Sequence, residues 1–137
     1  MLMSTHNHCD DHCYHILCLH GRRQTGNIFE KRLDTTIRRL RTQTETTFPQ
    51  IKYYFLDAPF PTKEDEHTLQ WWRPHNNKNK NNKQTYAQDL QQSLSLLEET
   101  LNKHGPFHCI LSFSQGCALV AEGKYTLSNT KRGADIY

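Results

Sequence analysis

The sharpest chemical suggestion in the chain lies in five residues, Ser112-Phe113-Ser114-Gln115-Gly116. They stand between an apolar run, Phe107-His108-Cys109-Ile110-Leu111, and a stretch of helical character from Gly116 to Glu122. A serine on a sharp strand-to-helix turn, with small residues two positions to either side, is held in strained geometry with its hydroxyl presented outward. That is how a serine becomes a nucleophile for acyl transfer. Glycine is usual at both flanks. Ser112 replaces the first glycine here and is still small. The bland reading is a serine-rich loop without reactivity, but the position after two earlier strand–helix units favours the turn.

Such a nucleophile also needs two amide hydrogens aimed at the oxygen on which charge develops. The N–H of Gln115 supplies one by position. The loop Leu19-His20-Gly21-Arg22, after the first apolar run, supplies the other through the N–H of Arg22, with Gly21 letting the loop bend. His20 and Gly21 are therefore expected at the edge of a substrate pocket. The remaining need is a base held by an acid. In the fold this turn belongs to, they follow the serine in the order carboxylate, then histidine. Residues 115–137 hold Glu122 and Asp135 and no histidine. His20 is the upstream candidate for a base, although its position in the order does not fit.

A second cluster is His6-Asn7-His8-Cys9-Asp10-Asp11-His12-Cys13-Tyr14-His15. It is rich in metal-ligand types, yet no second ligand pair follows at a matching spacing, so a polar leader is preferred to a zinc site and no metal is assigned. Five cysteines without an apolar export segment read as reduced thiols. Cys18, Cys109 and Cys117 sit in apolar runs and are expected to be small core residues.

The elements that must position this chemistry follow from periodicity. Residues 1–13 read as a disordered leader. Residues 14–20 form a short buried strand, and 21–26 a polar loop. Asn27 and Glu30 are spaced as a capping box ahead of Phe29, Leu33, Ile37 and Leu40. Arg38, Arg39 and Arg41 then fall where positive charge suits a helix end. Residues 51–56, Ile-Lys-Tyr-Tyr-Phe-Leu, make a second strand ended by Asp57-Ala58-Pro59. Residues 60–84 read as an insertion containing Trp71-Trp72 and an Asn/Lys run, 76–83, too polar to order itself, so disorder is expected near 73–84. Thr85 and Gln88 suggest another cap before the stripe Leu90, Leu94, Leu97, Leu101, which Gly105-Pro106 stops. Strand, helix, strand, helix, strand, helix predicts an α/β fold with a parallel sheet and crossover helices.

Composition excludes several classes. The 137 residues allow one domain, spanning 14–137, and the net charge of +3 is too small to point to nucleic acid or an anionic membrane. No stretch approaches the ~20 apolar residues of a membrane span. A cytoplasmic or nuclear location is expected, and the sequence sets no oligomeric state.

Four stretches together resemble the FSH-type serine hydrolases. They are Ile16-Leu17-Cys18-Leu19-His20-Gly21 with Gln24-Thr25-Gly26, then Phe55-Leu56-Asp57-Ala58-Pro59, then Trp71-Trp72, and last Gly105-Pro106-Phe107 running into Phe113-Ser114-Gln115-Gly116. The resemblance implies part of an α/β-hydrolase three-layer sandwich and a carboxylic ester or thioester as small-molecule substrate. It implies no metal and no organic cofactor. It makes Ser114 the nucleophile and gives Trp71 and Trp72 a place lining an acyl pocket, with packing of the insertion as their other role. The chain departs from the family where Phe107-His108-Cys109 replaces Phe-Asp-Gly and where Ser112 replaces glycine. It also reads as cut short before the Asp and His of the triad. The alternative expectation is a hydrolase-derived protein that binds ligand or partner without turnover.

Overall fold

A computed structural model describes residues 13–43, 50–74 and 82–129. Three parallel strands form the sheet: β1 (Cys13–Leu19), β2 (Gln50–Leu56) and, after the short pair β3 (Phe60–Pro61) and β4 (Leu69–Gln70), β5 (Cys109–Ser112). Their order is β2-β1-β5. In register, Cys18 lies between Phe55 and Leu111, and Leu19 between Leu56 and Ser112. The helices are α1 (Gly26–Gln43), α2 (Asn82–His104) and α3 (Gln115–Asn129).

The two faces of the sheet are built differently. Leu17, Leu19 and Leu56 point to the face covered by α2 and α3, where they form the core with Ala58, Trp71, Leu97 and Leu119. The opposite face carries Cys18 and Phe55 under α1, with Phe29 edge-on to Phe55 at 6.1 Å. That cover does not reach β5, so Cys109 and Leu111 on this face are exposed. Cys117, near the start of α3, is exposed too. Of the three cysteines expected in the core, only Cys18 is buried. Being out of water, with Cys109 and Glu30 nearby, pushes its thiol up to about 12.

Helix starts also differ from expectation. Thr25, not Asn27, caps α1: its Oγ1 accepts from the Ile28 N–H (3.2 Å) and its carbonyl from the Phe29 N–H (3.0 Å). Asp57, at the end of β2, accepts from the Gly26 N–H at 2.6 Å and brings negative charge to the positive helix terminus. α2 begins at Asn82, so Thr85 lies inside the helix rather than capping it, and the last residues of the Asn/Lys run are helical. Residues 1–12 of the expected leader and most of that run lie outside the described residues, as do most of the residues from His6 to His15, while Cys13, expected in the leader, opens β1. Among the described residues no three metal-ligand side chains gather, and no helix is long and apolar enough to cross a membrane.

The expected insertion is partly ordered. β3 and β4 pair antiparallel across a loop knotted by Thr62, Asp65 and Thr68, with the two threonine hydroxyls 2.7 Å apart. Short threonine and aspartate side chains close such loops by bonding nearby backbone, here Thr62 to the Asp65 carbonyl at 2.8 Å.

Candidate active site

β1 is central, its first crossover leading to β2 on one side and β5 arriving on the other. In open parallel sheets a crevice forms where the connections diverge, beyond the carboxyl ends of the strands. The segments meeting there are the loop after β1, His20–Gln24, and the turn after β5, Phe113–Gln115.

The turn has the geometry its sequence suggested. Ser114 is exposed and adopts φ 52°, a left-handed backbone unusual outside glycine. α3 begins at the next residue. The Gly116 N–H donates to the Phe113 carbonyl, and the Cys117 N–H to the Ser114 carbonyl, each at 3.0 Å. The N–H of Gln115 belongs to the first helical turn, which has no partners within its own helix. Ser112 fits where glycine is usual, half-buried, its hydroxyl donating to Cys117 Sγ at 3.4 Å.

Two glycines permit the assembly. A Cβ at Gly116 would stand 2.7 Å from the Leu19 carbonyl oxygen and 2.9 Å from that of His20. A Cβ at Gly21 would stand 2.8 Å from Phe113 Cδ1 and 3.1 Å from Ser114 Cβ. Gly21 thus serves close approach rather than the bend. The left-handed residue of that loop is Arg23, at φ 62°. The Gly21 N–H donates to Gln24 Oε1 (3.1 Å), and the Arg23 N–H to the Leu69 carbonyl (3.0 Å). The Arg22 and Arg23 guanidiniums both reach Glu64 at 2.7 Å. The hydrogen bond from Arg23, with Arg22 alongside, holds the Glu64 carboxyl low, at about 2.

His20 is a strut under this loop rather than a wall of the crevice. It has no exposed surface; its Nε2 accepts from the Ala58 N–H (3.0 Å) and its Nδ1–H donates to the Gly21 carbonyl (2.8 Å). Both ring nitrogens are engaged, leaving none to take a proton from Ser114. Burial lowers its pKa below the ordinary histidine value. The sign follows directly. Above the unfolded value of 6.5 both states hold a neutral ring. Below it the unfolded chain binds a proton that folded His20 refuses, so stability falls with pH until the folded ring also charges. Replacing His20 by Gln, which can donate and accept at neutral charge, is expected to reduce the loss of Tm between about pH 7.5 and pH 5 relative to the native chain. Equal acid sensitivity in the two proteins would contradict this assignment.

Trp71 is likewise fully buried and has no surface to offer a ligand, whereas Trp72 is half-buried, edge-on to Tyr86 at 6.0 Å. The backbone of this pair is strapped down from several directions. Ser93 donates to the Trp71 carbonyl. Arg73 lies fork-on to buried Asp89, at 2.9 and 2.7 Å, which lowers the Asp89 pKa. The Gln115 side chain joins them, Oε1 accepting from the Trp71 N–H (2.8 Å) and Nε2 donating to the Trp72 carbonyl (3.1 Å). The sequence points to Gln115 only through its backbone and to Gln24 only as part of a matched stretch, and it gives no role to Ser93 or Asp89. The last two lie on the buried side of α2, at a spacing of one helical turn that could have marked them.

Among the described residues no imidazole or carboxylate is hydrogen-bonded to Ser114. The arrangement presents a serine hydroxyl beside helix-end amides, without a base bonded to it among the described residues.

Comparison with known proteins agrees with this geometry. Residues 10–134 match the family model described as Serine hydrolase (FSH1). Esterase GA18864 of Drosophila pseudoobscura pseudoobscura is 34% identical over 113 residues, 77% of this chain and 37% of that protein. Esterase CG5412 of Drosophila melanogaster is 32% identical over 110 residues, 77% of this chain and 38% of its own length. Esterase OVCA2 of Danio rerio is 31% identical over 120 residues, 77% of this chain and 53% of that one. The chain therefore spans between about a third and about half the length of these relatives. With a serine on a left-handed strand-to-helix turn and a match running through nearly all of its residues, the chain belongs to the FSH1 serine hydrolase family.

Proposed function

We propose that this chain carries the nucleophile half of an esterase site, acting on carboxylic esters or thioesters. Ser114 attacks the acyl carbonyl, and the N–H groups of Gln115 and Arg22 hold the resulting oxyanion. Gly21 and the half-buried face of Trp72 border the acyl chain. The observation that carries the reading is the left-handed backbone of Ser114, packed against a Gly21 that leaves no room for a Cβ. Strain of this kind costs about 1–3 kcal/mol and persists where a site needs it.

Residues 115–137 hold no histidine, and His20 is spent on its own supports. Full turnover thus requires a base and an orienting acid from outside these groups. Without them, substrate binding and the oxyanion donors sustain a residual rate, of the order of 10³–10⁴-fold over water in related triads.

A fluorophosphonate probe tests the assignment. Labelling of the folded chain, slow for want of a base but abolished by Ser114→Ala, supports it. Labelling that survives the substitution, or a folded chain that does not label, overturns it.

A further inference from the structure

The two segments that would hold the oxyanion come from different strands, yet both are tied to the same three residues, Gln70-Trp71-Trp72. Trp71 alone bridges them: its indole N–H donates to the His20 carbonyl at 2.8 Å, and its backbone N–H donates to Gln115 Oε1 at 2.8 Å. Gln70, fully buried, accepts from Arg22 Nε at 3.2 Å and donates to the Pro61 carbonyl at 2.8 Å. The Trp72 carbonyl accepts the other half of the Gln115 amide. The strap itself is fixed to α2 by Ser93 and Asp89. Every polar atom of the Gln115 side chain is thus spent on this strap rather than on solvent or ligand.

We propose that Gln70-Trp71-Trp72 is a brace setting the spacing between the Arg22 and Gln115 amides, with the Gln115 side chain as the positioning residue that closes it. The inference rests on the functional reading above. The physical need is plain. Amides stabilise a developing oxyanion only when both point at one position, and misplacement by about 1 Å can cost about a hundredfold in rate. A tryptophan tied to one segment through its indole and to the other through its backbone resists such drift, because the indole is rigid and completely enclosed.

The test uses the whole chain with Gln115→Met and Gln115→Glu. The only two tryptophans of the sequence sit in the strap, so emission excited selectively at the indoles reports on it alone. Gln115→Met, similar in size but unable to bond the strap, is expected to raise quenching by acrylamide. It should also speed amide exchange over Gly21–Gln24 and slow probe labelling of Ser114 by about ten- to a hundredfold. In Gln115→Glu the carboxylate accepts from the Trp71 N–H but cannot donate to the Trp72 carbonyl. Acidification restores an O–H donor. Quenching in that variant should therefore return toward native values as the carboxyl protonates, a recovery that lost packing would not give. It also keeps the idea testable if the Met variant folds poorly. Unchanged quenching and unchanged exchange at Gly21–Gln24 in Gln115→Met overturn the brace. A native chain that does not label while the Met variant loosens the strap overturns the functional reading and leaves the brace standing.

Discussion

Gly116→Ala is expected to destabilise the protein by about 1–3 kcal/mol, the usual range for overpacking a filled site. Two effects oppose each other. Alanine gains about 0.5–1 kcal/mol over glycine in a helix, through the smaller entropy of its unfolded state. Against that, the new Cβ would lie 2.7 and 2.9 Å from the Leu19 and His20 carbonyl oxygens. Both are backbone atoms of the central strand and its exit, so neither can swing aside as a long side chain could. Strand and helix must part, and the steric term wins. Gly116→Val adds two methyl groups at the same place and should exceed the range. The same helix supplies the control. At Gly123 a Cβ would meet Leu94 Cδ2 at 3.4 Å, the near edge of ordinary contact, so Gly123→Ala is expected to be neutral or slightly stabilising. Urea midpoints of the three variants would decide it, and equal effects at Gly116 and Gly123 would contradict the close approach on which the turn depends. Parting strand and helix also moves the Gln115 amide, so probe labelling should fall with stability in the Gly116 variants and stay native in Gly123→Ala.

The frame was readable from the sequence because it is set by local apolar runs. Residues 14–20 and 51–56 announced β1 and β2 to within a residue at each end, and the Leu90–Leu101 stripe announced α2. Alternation of strands and helices implied parallel pairing, but the order β2-β1-β5 depends on which edge each crossover chooses, and no short-range signal encodes that. Capping misled for a related reason. Asn27 and Glu30 have the right spacing, yet the helix starts one residue after Thr25 because Asp57, thirty-one positions away in sequence, reaches the Gly26 N–H. The cysteines misled because burial was inferred from neighbours in the chain. Cys109 alternates onto a face that α1 does not cover, which only the tertiary arrangement decides. At the site the serine turn was legible because its geometry is local. The supports were not: loop position put His20 at the pocket, and the resemblance left Trp71 between lining it and packing the insertion, while contacts 38 and 51 positions away turn both inward.

Trp71→Ala is expected to remove most of the protein's stability. Truncating a buried tryptophan costs about 3–5 kcal/mol through lost burial and the cavity left behind. Here the indole also satisfies the His20 carbonyl, with the His20 ring itself 5.3 Å from the indole ring, and an orphaned buried carbonyl adds about 1–3 kcal/mol. The sum approaches the 5–15 kcal/mol that separates folded from unfolded domains. Trp71→Phe divides the two contributions, since it keeps most of the ring in the core and loses only the N–H donor and part of the volume. Far-UV circular dichroism in urea is the suitable probe, because the substitution itself removes one of the two tryptophans. The ordering expected is native, then Trp71→Phe, then Trp71→Ala, with the alanine variant substantially unfolded before any denaturant is added. A Trp71→Ala protein that unfolds near the native midpoint would mean that the enclosed indole does not anchor the strap against the loop after β1, and the account of how the two amide-bearing segments are held together would fall with it.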